Sequence, residues 1–243
     1  MMGITRAPIF RSSQGRLRLL LASLIVATAP AWAQERIALA GLEAGRDNGY
    51  AYWGTVLPLP GQHLGQGFVQ RYWLDYVAYR YEKLPQQDID AKAAGVEAAL
   101  GYQQSSANGW WGAYLGPRYA STRLSPDDPG NNDRGGHLRA KLQFEGETEL
   151  GAGWRLNGIA SHLIGQSSYW LRFRAQTRLD NQLLLGPELV VQGDPSYRLF
   201  KLGVYVGGIK LGRDAALTVK AGASKLDSGS AGAYAGIEWY LPY

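Results

Sequence analysis

Residues 232–243 read GAYAGIEWYLPY, and this stretch decides the fold. Successive side chains of an extended chain point to opposite faces, so one face carries Ala235, Ile237 and Trp239 while the other carries Tyr234 and Glu238. Gly236 and Tyr240 complete the more polar face, and the chain closes on Tyr243. An apolar face, a polar face and terminal aromatic residues are typical of a transmembrane β-barrel strand. The sequence therefore predicts that the apolar face meets lipid.

The first 33 residues differ in composition from the rest of the chain. They contain four arginines and no acidic residue, and an apolar run at 19–29 precedes the tripeptide Ala31-Trp32-Ala33. This pattern predicts a secretory signal peptide that is cleaved before Gln34. The apolar run is shorter than the roughly 20 residues of a membrane-spanning helix, which disfavours an uncleaved anchor. We therefore predict a signal peptide at 1–33 and one domain at 34–243.

The charge balance limits the classes of function. The 243-residue chain has 25 basic and 20 acidic side chains, and the predicted mature part has 21 and 20. A nearly neutral mature chain gives no electrostatic support for nucleic-acid binding. The chain has no cysteine, and its three histidines, at 63, 137 and 162, lack metal-ligand spacing. We therefore expect no disulfide, no metal site and no cofactor.

Regular alternation of polar and apolar residues extends over ten or more positions at 137–150, 169–179 and 198–209. Such lengths exceed those of most soluble strands and match strands that cross a membrane. We predict an all-β fold, a single antiparallel transmembrane β-barrel of about twelve strands. The predicted strands are 37–45, 49–58, 67–83, 91–103, 109–124, 136–150, 153–164, 168–179, 182–193, 197–210, 214–225 and 231–243. A barrel of ten strands and a soluble β-sandwich are the alternatives.

The predicted connections separate into two kinds. An even number of strands places both termini on the periplasmic side, with tight turns there at 151–152, 180–181 and 213–214 and a long polar loop outside at 125–135. Pro117 and Pro187 count against this arrangement, because each lies inside a predicted strand and a closed barrel has no edge strand. Each proline therefore predicts a bulge or a local irregularity.

Several charged and aromatic side chains fall on the predicted inner face. The charged candidates are Arg139, Lys141, Glu145, Arg172, Arg174, Arg178, Glu188 and Lys201. The aromatic candidates are Trp170, Tyr205, Tyr234 and Tyr240. One interpretation is a salt-bridged filling that closes a narrow lumen. The other is a hydrated path whose charged groups bind sugar hydroxyls and whose rings stack on sugars; twelve strands are compatible with both.

Two further chemistries are conceivable from the sequence. Asp127, Asp128 and Asp133 lie in the external loop, where clustered carboxylates would suit calcium, although a solvated turn-rich loop is the favoured interpretation. A hydrolase or acyltransferase would need a serine within reach of His162. Ser161 is adjacent in the chain and so faces the opposite side, which leaves Ser167 and Ser168 across the next turn. We favour a non-enzymatic protein.

Several short segments carry a resemblance to a known family. They are RLSPDDP at 123–129 followed by Arg134-Gly135, YWLR at 169–172, GPE at 186–188, RLFKLG at 198–203 and GAYAG at 232–236. In these segments, taken in their order and spacing, the chain resembles the cellulose biosynthesis BcsS family of bacterial outer-membrane proteins.

The resemblance implies a β-barrel in the outer membrane of a Gram-negative bacterium, associated with cellulose synthesis or export. It implies outer-membrane lipid, cellulose and other cellulose-synthase components as partners. It carries no catalytic residue to this sequence. Polymer passage or organisation is the expected role, with a plugged structural barrel or a small-solute barrel as the alternative.

Overall fold

A computed structural model describes residues 36–46, 48–84, 87–179, 183–194, 198–226 and 231–243. The predicted signal peptide and the predicted turn at 180–181 lie outside these residues. The strands are β1 (Ile37–Gly45), β2 (Asn48–Pro58), β3 (Gln66–Leu84), β4 (Gln87–Ser106), β5 (Gly109–Ser125), β6 (Gly135–Gly151), β7 (Trp154–Leu163), β8 (Ser168–Arg178), β9 (Leu184–Gly193), β10 (Arg198–Leu211), β11 (Ala215–Leu226) and β12 (Ala231–Pro242).

Each strand pairs antiparallel with its neighbour in sequence, and β1 pairs with β12 to close a twelve-stranded barrel. The prediction of twelve strands is confirmed, and closure excludes both the ten-stranded barrel and the open sandwich. No helix within the described ranges is long and apolar enough to span a membrane. Below, the end of the barrel that carries Arg36 and Tyr243 is called the terminal end, and the opposite end is called the loop end.

The two faces of the wall have opposite polarity. On the outer face, Leu138 is 71% exposed and Leu202 is 65% exposed. On the inner face, Glu97 and Glu188 are 2% and 0% exposed. This inversion of the usual soluble arrangement fits a wall whose outer surface contacts hydrocarbon rather than water. The faces assigned from alternation in β6, β8, β10 and β12 agree with the structure.

Aromatic rings lie flat against the inner wall because glycines make room for them. The directly cross-paired partners are Gly41 and Tyr52, Gly54 and Trp73, Gly101 and Tyr114, and Gly222 and Tyr234. A Cβ atom at Gly54 would lie 2.0 Å from the Trp73 ring, and one at Gly41 would lie 2.3 Å from the Tyr52 ring. Any larger residue at these glycines would push the ring into the lumen.

The two mid-strand prolines are accommodated in the same way, by a short gap in strand pairing. Pairing between β4 and β5 stops at Glu97 with Arg118 and resumes in the same register at Leu100 with Leu115. Pairing between β8 and β9 has the same gap beside Pro187. A glycine precedes each proline, and a Cβ at Gly116 would lie 2.0 Å from the Ala98 carbonyl oxygen. The predicted irregularity is thus an in-register gap rather than a bulge.

The turn between β2 and β3 folds into the terminal end of the barrel. Leu64 packs there against a small apolar cluster of Val56, Val69, Ala99 and Tyr114. The Gly65 amide donates a hydrogen bond of 2.8 Å to the side-chain oxygen of Gln103 on β4. This apolar contact and this polar contact together hold the turn inside the barrel mouth.

Candidate functional site in the barrel interior

Seven charged side chains from six strands meet inside the barrel. They are Glu43, Arg172, Arg174, Glu188, Lys201, Lys220 and Glu238, called here the central cluster. Inward alternation brings one or two of them from each of β1, β8, β9, β10, β11 and β12. The charges are nearly removed from water, so each must be paired to be tolerated.

Arg174 is the most connected member of the central cluster. Its Nε donates to Glu188 on the adjacent strand at 2.6 Å. Its two terminal nitrogens donate to both carboxylate oxygens of Glu238 on β12, each at 2.9 Å. The second interaction is a bidentate pair between strands that are not neighbours, so it bridges the lumen.

Two lysines bridge the remaining carboxylates. Lys220 lies 2.7 Å from Glu43, 3.0 Å from Glu238 and 3.8 Å from Glu188. Lys201 on β10 donates to Glu43 on β1. These contacts tie β1 to β10 and β11 through the interior, in addition to the backbone ladder.

Arg172 is held more loosely than Arg174. Its contacts to Glu238 and Asn157 are 3.4–3.5 Å long, and its buried Nε has no hydrogen-bond partner within the described part of the chain. Its guanidinium lies 5.9 Å from the centre of the Trp170 ring. With four cations against three carboxylates, the central cluster has one surplus positive charge, and Arg172 is the cation with the weakest contacts.

A second cluster lines the wall formed by β3 to β6. It consists of Arg71, Asp75, Glu97, Arg118 and Lys141. Arg118 lies 2.6 Å from Asp75, and Lys141 lies 2.7 Å from Glu97. Arg71 lies 3.7 Å from Glu97 and sits over the Trp73 ring at 4.3 Å. This second cluster links β3 to β6 through the interior, as the central cluster links β1 and β8 to β12.

Hydrogen bonds continue this filling toward the terminal end. Tyr114 donates to Glu145 at 2.7 Å, and Tyr205 donates to Gln176 at 2.7 Å. Gln176 in turn donates to Glu147 at 2.5 Å. In the described part of the chain, the interior is therefore occupied by paired polar groups that connect one strand to another, as the filling interpretation expects.

The structure places the sequence-derived charged candidates in several different settings. Arg172, Arg174, Glu188 and Lys201 meet in the central cluster, while Lys141 joins the second cluster and Glu145 bonds Tyr114. Arg139 lies 3.7 Å from Asp133 of the loop. Arg178 ends β8 and is exposed, so it does not meet the other arginines of its strand.

The four aromatic candidates differ in how accessible their rings are. Tyr205 and Tyr234 are 2% and 3% exposed, and the cations of Arg174 and Lys201 lie over them at 4.5 and 5.6 Å. A sugar could stack on either ring only after an ion pair had moved. Trp170 is half-buried nearer the loop end, and Tyr240 is 42% exposed near the terminal end.

The sequence analysis did not select several central residues. Glu43, Lys220 and Glu238 are essential to the pairing, as are Asp75, Glu97 and Arg118 in the second cluster. Alternation already places Glu238 on the more polar face of the last strand, and the same pattern would have placed Lys220 on the inner face of β11. Their pairing could not be read from the sequence because the partners are far apart along the chain.

The β5–β6 loop is anchored at both sides of the loop end. Asp128 accepts hydrogen bonds from Lys83 at 2.5 Å and Tyr81 at 2.8 Å. Asp133 accepts one from Gln166 in the β7–β8 turn, and Asp127 pairs with Arg134. Asp128 is only 5% exposed, so the expectation of a solvated loop is wrong at this residue.

The loop carboxylates are committed to these contacts and differ in acidity. The hydrogen bonds from Lys83 and Tyr81 hold the pKa of Asp128 below its usual range. Burial raises the pKa of Asp133, with Asp194 adding to the shift against the opposing effect of Arg139. Across the described ranges, no three His, Cys, Asp or Glu side chains are grouped to hold a metal ion.

The residues considered for hydrolysis lie on different faces of the barrel. Ser161 pairs with Gln143 and faces inward, whereas His162 pairs with Leu142 and faces outward. Ser168 shares the inner face with Trp170, while Ser167 lies in the turn. The nucleophile and the base that a hydrolase requires are therefore not brought together by His162 and the serines on these two strands.

A closed antiparallel barrel with an apolar outer face and a charged interior is a β-barrel of the outer-membrane type. The sequence model of the family described as cellulose biosynthesis protein BcsS matches residues 37–242, so the chain belongs to that family. No curated protein matches the chain in sequence. The family resemblance found in the sequence is thereby confirmed over the whole barrel.

Solved structures agree on the fold. The β domain of the Bordetella autotransporter BrkA is 14% identical with a TM-score of 0.51, covering 87% of this chain and 100% of that one. The TodX deltaS2S3 mutant monoaromatic hydrocarbon channel is 7% identical with a TM-score of 0.52, covering 86% of this chain and 90% of that one. At such low identities the likeness concerns the barrel fold alone.

Proposed function

We propose that this protein is a non-enzymatic component of a cellulose biosynthesis and export apparatus at the outer membrane, where it assists passage or organisation of the polymer. Membership of the BcsS family over residues 37–242 carries this proposal. The apolar outer wall supports the location, with the terminal end toward the periplasm and the loop end outside. The separation of His162 from Ser161 and Ser168 supports the absence of hydrolytic chemistry.

The filled interior favours an organising role, or passage that requires the central cluster to open, over a permanently open channel. Arg174, Glu238 and Lys220 bridge the space that a polymer would need. Cellulose and the other components of the apparatus are the proposed partners. The inner charges would then bind sugar hydroxyls only in a rearranged state.

Replacing Arg172, Arg174 and Glu188 together with alanine tests whether the interior handles polymer. The change removes two cations and one carboxylate, and it leaves Glu43 and Glu238 balanced by Lys201 and Lys220. The barrel should therefore still insert while cellulose outside the cells falls. The control is Arg178→Ala, which removes an exposed arginine from the same strand.

Unchanged external cellulose at normal protein level would contradict a role of these residues in handling polymer. The second candidate, a plugged structural or small-solute barrel, is favoured by the bridges of the central cluster and by Leu64 in the terminal mouth. Conductance across a planar bilayer separates the two forms of this second candidate. A steady current indicates a small-solute barrel, and a silent bilayer indicates a plug.

A further inference from the structure

Exposed basic side chains lie on the outer face near the loop end of five strands, β3, β4, β5, β10 and β11. They are Arg80, Lys92, Arg123, Arg198 and Lys225, called here the basic collar. Their pairing partners place them on the outer face; for example, Lys225 lies opposite the lipid-facing Phe200. On β3, β4 and β5 these are the first charged residues beyond the apolar band. The basic collar therefore lies where hydrocarbon gives way to headgroups.

The opposite end of the same strands is different. The outer face of β3 to β5 at the terminal end carries Phe68, Tyr102 and Trp111. The ring centre of Tyr102 lies 5.2 Å from that of Phe68 and 5.9 Å from that of Trp111. Aromatic girdles of this kind are found at membrane interfaces and carry no net charge. Charged residues on the outer face of β3 to β5 are thus confined to the loop end, where Arg80, Lys92 and Arg123 lie beside the acidic Glu82, Asp88 and Asp90.

Two members of the basic collar face each other directly. Lys92 on β4 is cross-paired with Arg123 on β5, and like charges at such positions are destabilising. Neither forms an ion pair within the described part of the chain; Asp90 attracts Lys92 but is paired with Arg80 at 2.8 Å. An anion between Lys92 and Arg123 would remove their repulsion.

The same part of the wall has an apolar depression nearer the membrane centre. A shallow, open depression of about 410 Å³ is lined by Leu115, Pro117, Leu138 and Ala140, and a second of about 260 Å³ adjoins it at Leu115 and Pro117. The gap in pairing beside Gly116 and the small side chain of Ala140 create this space. Tyr119, which is 47% exposed, lies on the outer face of β5 between the depression and Arg123.

We propose that the basic collar, centred on Lys92 and Arg123, binds the phosphate groups of a phosphorylated glycolipid of the outer leaflet, with an acyl chain in the depression at Pro117. This site rests on the outer-membrane location in the proposed function but not on any role in cellulose export. Two adjacent cations match a headgroup with closely spaced phosphates. The depression supplies a contact that a free phosphate could not use.

Binding of purified glycolipid to the folded barrel in neutral detergent tests the site. The probes are phosphorylated lipid A, the same lipid without phosphates, and phosphatidylglycerol. We expect Lys92→Gln with Arg123→Gln to weaken binding of phosphorylated lipid A about thirtyfold, since each basic residue near a membrane surface contributes about fivefold and the two factors multiply. The matched control is Arg134→Gln, an exposed loop arginine outside the basic collar. Heat-dependent mobility on a gel confirms that each variant is folded.

A second variant tests the apolar part of the site. Ala140→Trp fills the depression from the lipid side, so it should weaken lipid A binding while leaving the basic collar intact. Equal binding of phosphatidylglycerol, or full binding by the Lys92 and Arg123 double variant, would overturn the glycolipid site. Failure of the wild-type barrel to insert into neutral vesicles would instead contradict the outer-membrane location. Neither readout depends on cellulose.

Discussion

Arg174 on β8 donates two hydrogen bonds of 2.9 Å to the carboxylate of Glu238 on β12. In the barrel wall, β9, β10 and β11 lie between these two strands, so the contact crosses the lumen. The closed backbone ladder sets the diameter of the barrel. The bidentate pair adds a direct link between the two strands across the lumen, and the third nitrogen of Arg174 donates to Glu188. The interior charges thus link strands across the barrel, and they are also the candidate groups for binding sugar hydroxyls.

Arg174→Met should strongly destabilise the barrel. The substitution leaves two carboxylates, the fully buried Glu188 and Glu238, with only two counter-charges. These are Lys220 and the loosely held Arg172. Breaking a buried ion pair by removing one partner costs about 3–5 kcal/mol. Urea unfolding in lipid vesicles measures this cost. Arg178→Met on the same strand, where the side chain is exposed, should change the free energy of unfolding little.

Phe173→Arg should impair assembly because Phe173 is 42% exposed on the lipid-facing side of β8. An arginine at the bilayer midplane of a barrel costs about 2–4 kcal/mol, falling to about 0–1 kcal/mol near the interface. Thr177→Arg, on the same face at the terminal end of β8, is the matched control. Folding yields in vesicles should fall for the first variant only. Equal yields would mean that this face does not contact hydrocarbon.

Gly54→Ala should displace the Trp73 ring, because the new Cβ would lie 2.0 Å from it. Overpacking of this kind costs about 1–3 kcal/mol, and it would also disturb the stack of Trp73 on Tyr52 at 4.8 Å. Tryptophan fluorescence and urea unfolding report both effects. Gly49→Ala on the same strand meets no atom closer than 3.8 Å, so it should be nearly neutral. Similar losses from both variants would contradict the close packing of Trp73.

Asp128→Asn should release the β5–β6 loop at neutral pH. The lowered pKa of Asp128 arises from hydrogen bonds given by Lys83 and Tyr81, so the ionised form stabilises the closed loop. Because the folded pKa lies below the unfolded value of about 3.9, this contribution is complete above that value and is lost as pH falls through the lowered pKa. Protease cleavage of the loop should rise several-fold in the variant.

The pH profile of wild-type cleavage provides a further check on the loop. Asp133 has a raised pKa, so its ionised form opposes the closed loop, and that opposition disappears as pH falls through the raised value. Acid should therefore not open the loop until Asp128 is protonated. Asp127→Asn, which breaks only an exposed pair with Arg134, should leave cleavage close to wild type. Opening of the wild-type loop well above pH 4 would contradict the role of Asp128.

Much of the architecture could be predicted from local pattern. Period-two alternation is a property of each strand by itself, which is why Arg174, Glu188 and Glu238 were assigned to the correct face. Neighbouring strands in a barrel also follow one another in sequence, so the pairing of Arg174 with Glu188 was within reach. The prolines signalled irregularity because each removes a backbone donor from the ladder.

What could not be predicted depends on distance across the lumen. The contact of Glu43 with Lys201 joins residues 158 positions apart, and no local pattern encodes it. Burial of Asp128 likewise depends on where the end of β3 lies relative to the loop. The open ring faces that the sugar-stacking interpretation requires of Tyr205 and Tyr234 are covered because Arg174 and Lys201 lie above them, which only the three-dimensional arrangement determines.

The amount of cellulose outside cells that lack this gene is the measurement that most directly tests a role in the cellulose apparatus. The strain should carry an unchanged level of the cellulose synthase, and it should be compared with the same strain complemented by the wild-type gene. We predict that external cellulose falls and returns on complementation, with polymer retained inside if the protein acts on export. Unchanged external cellulose in the deletion strain would contradict a role in the cellulose apparatus.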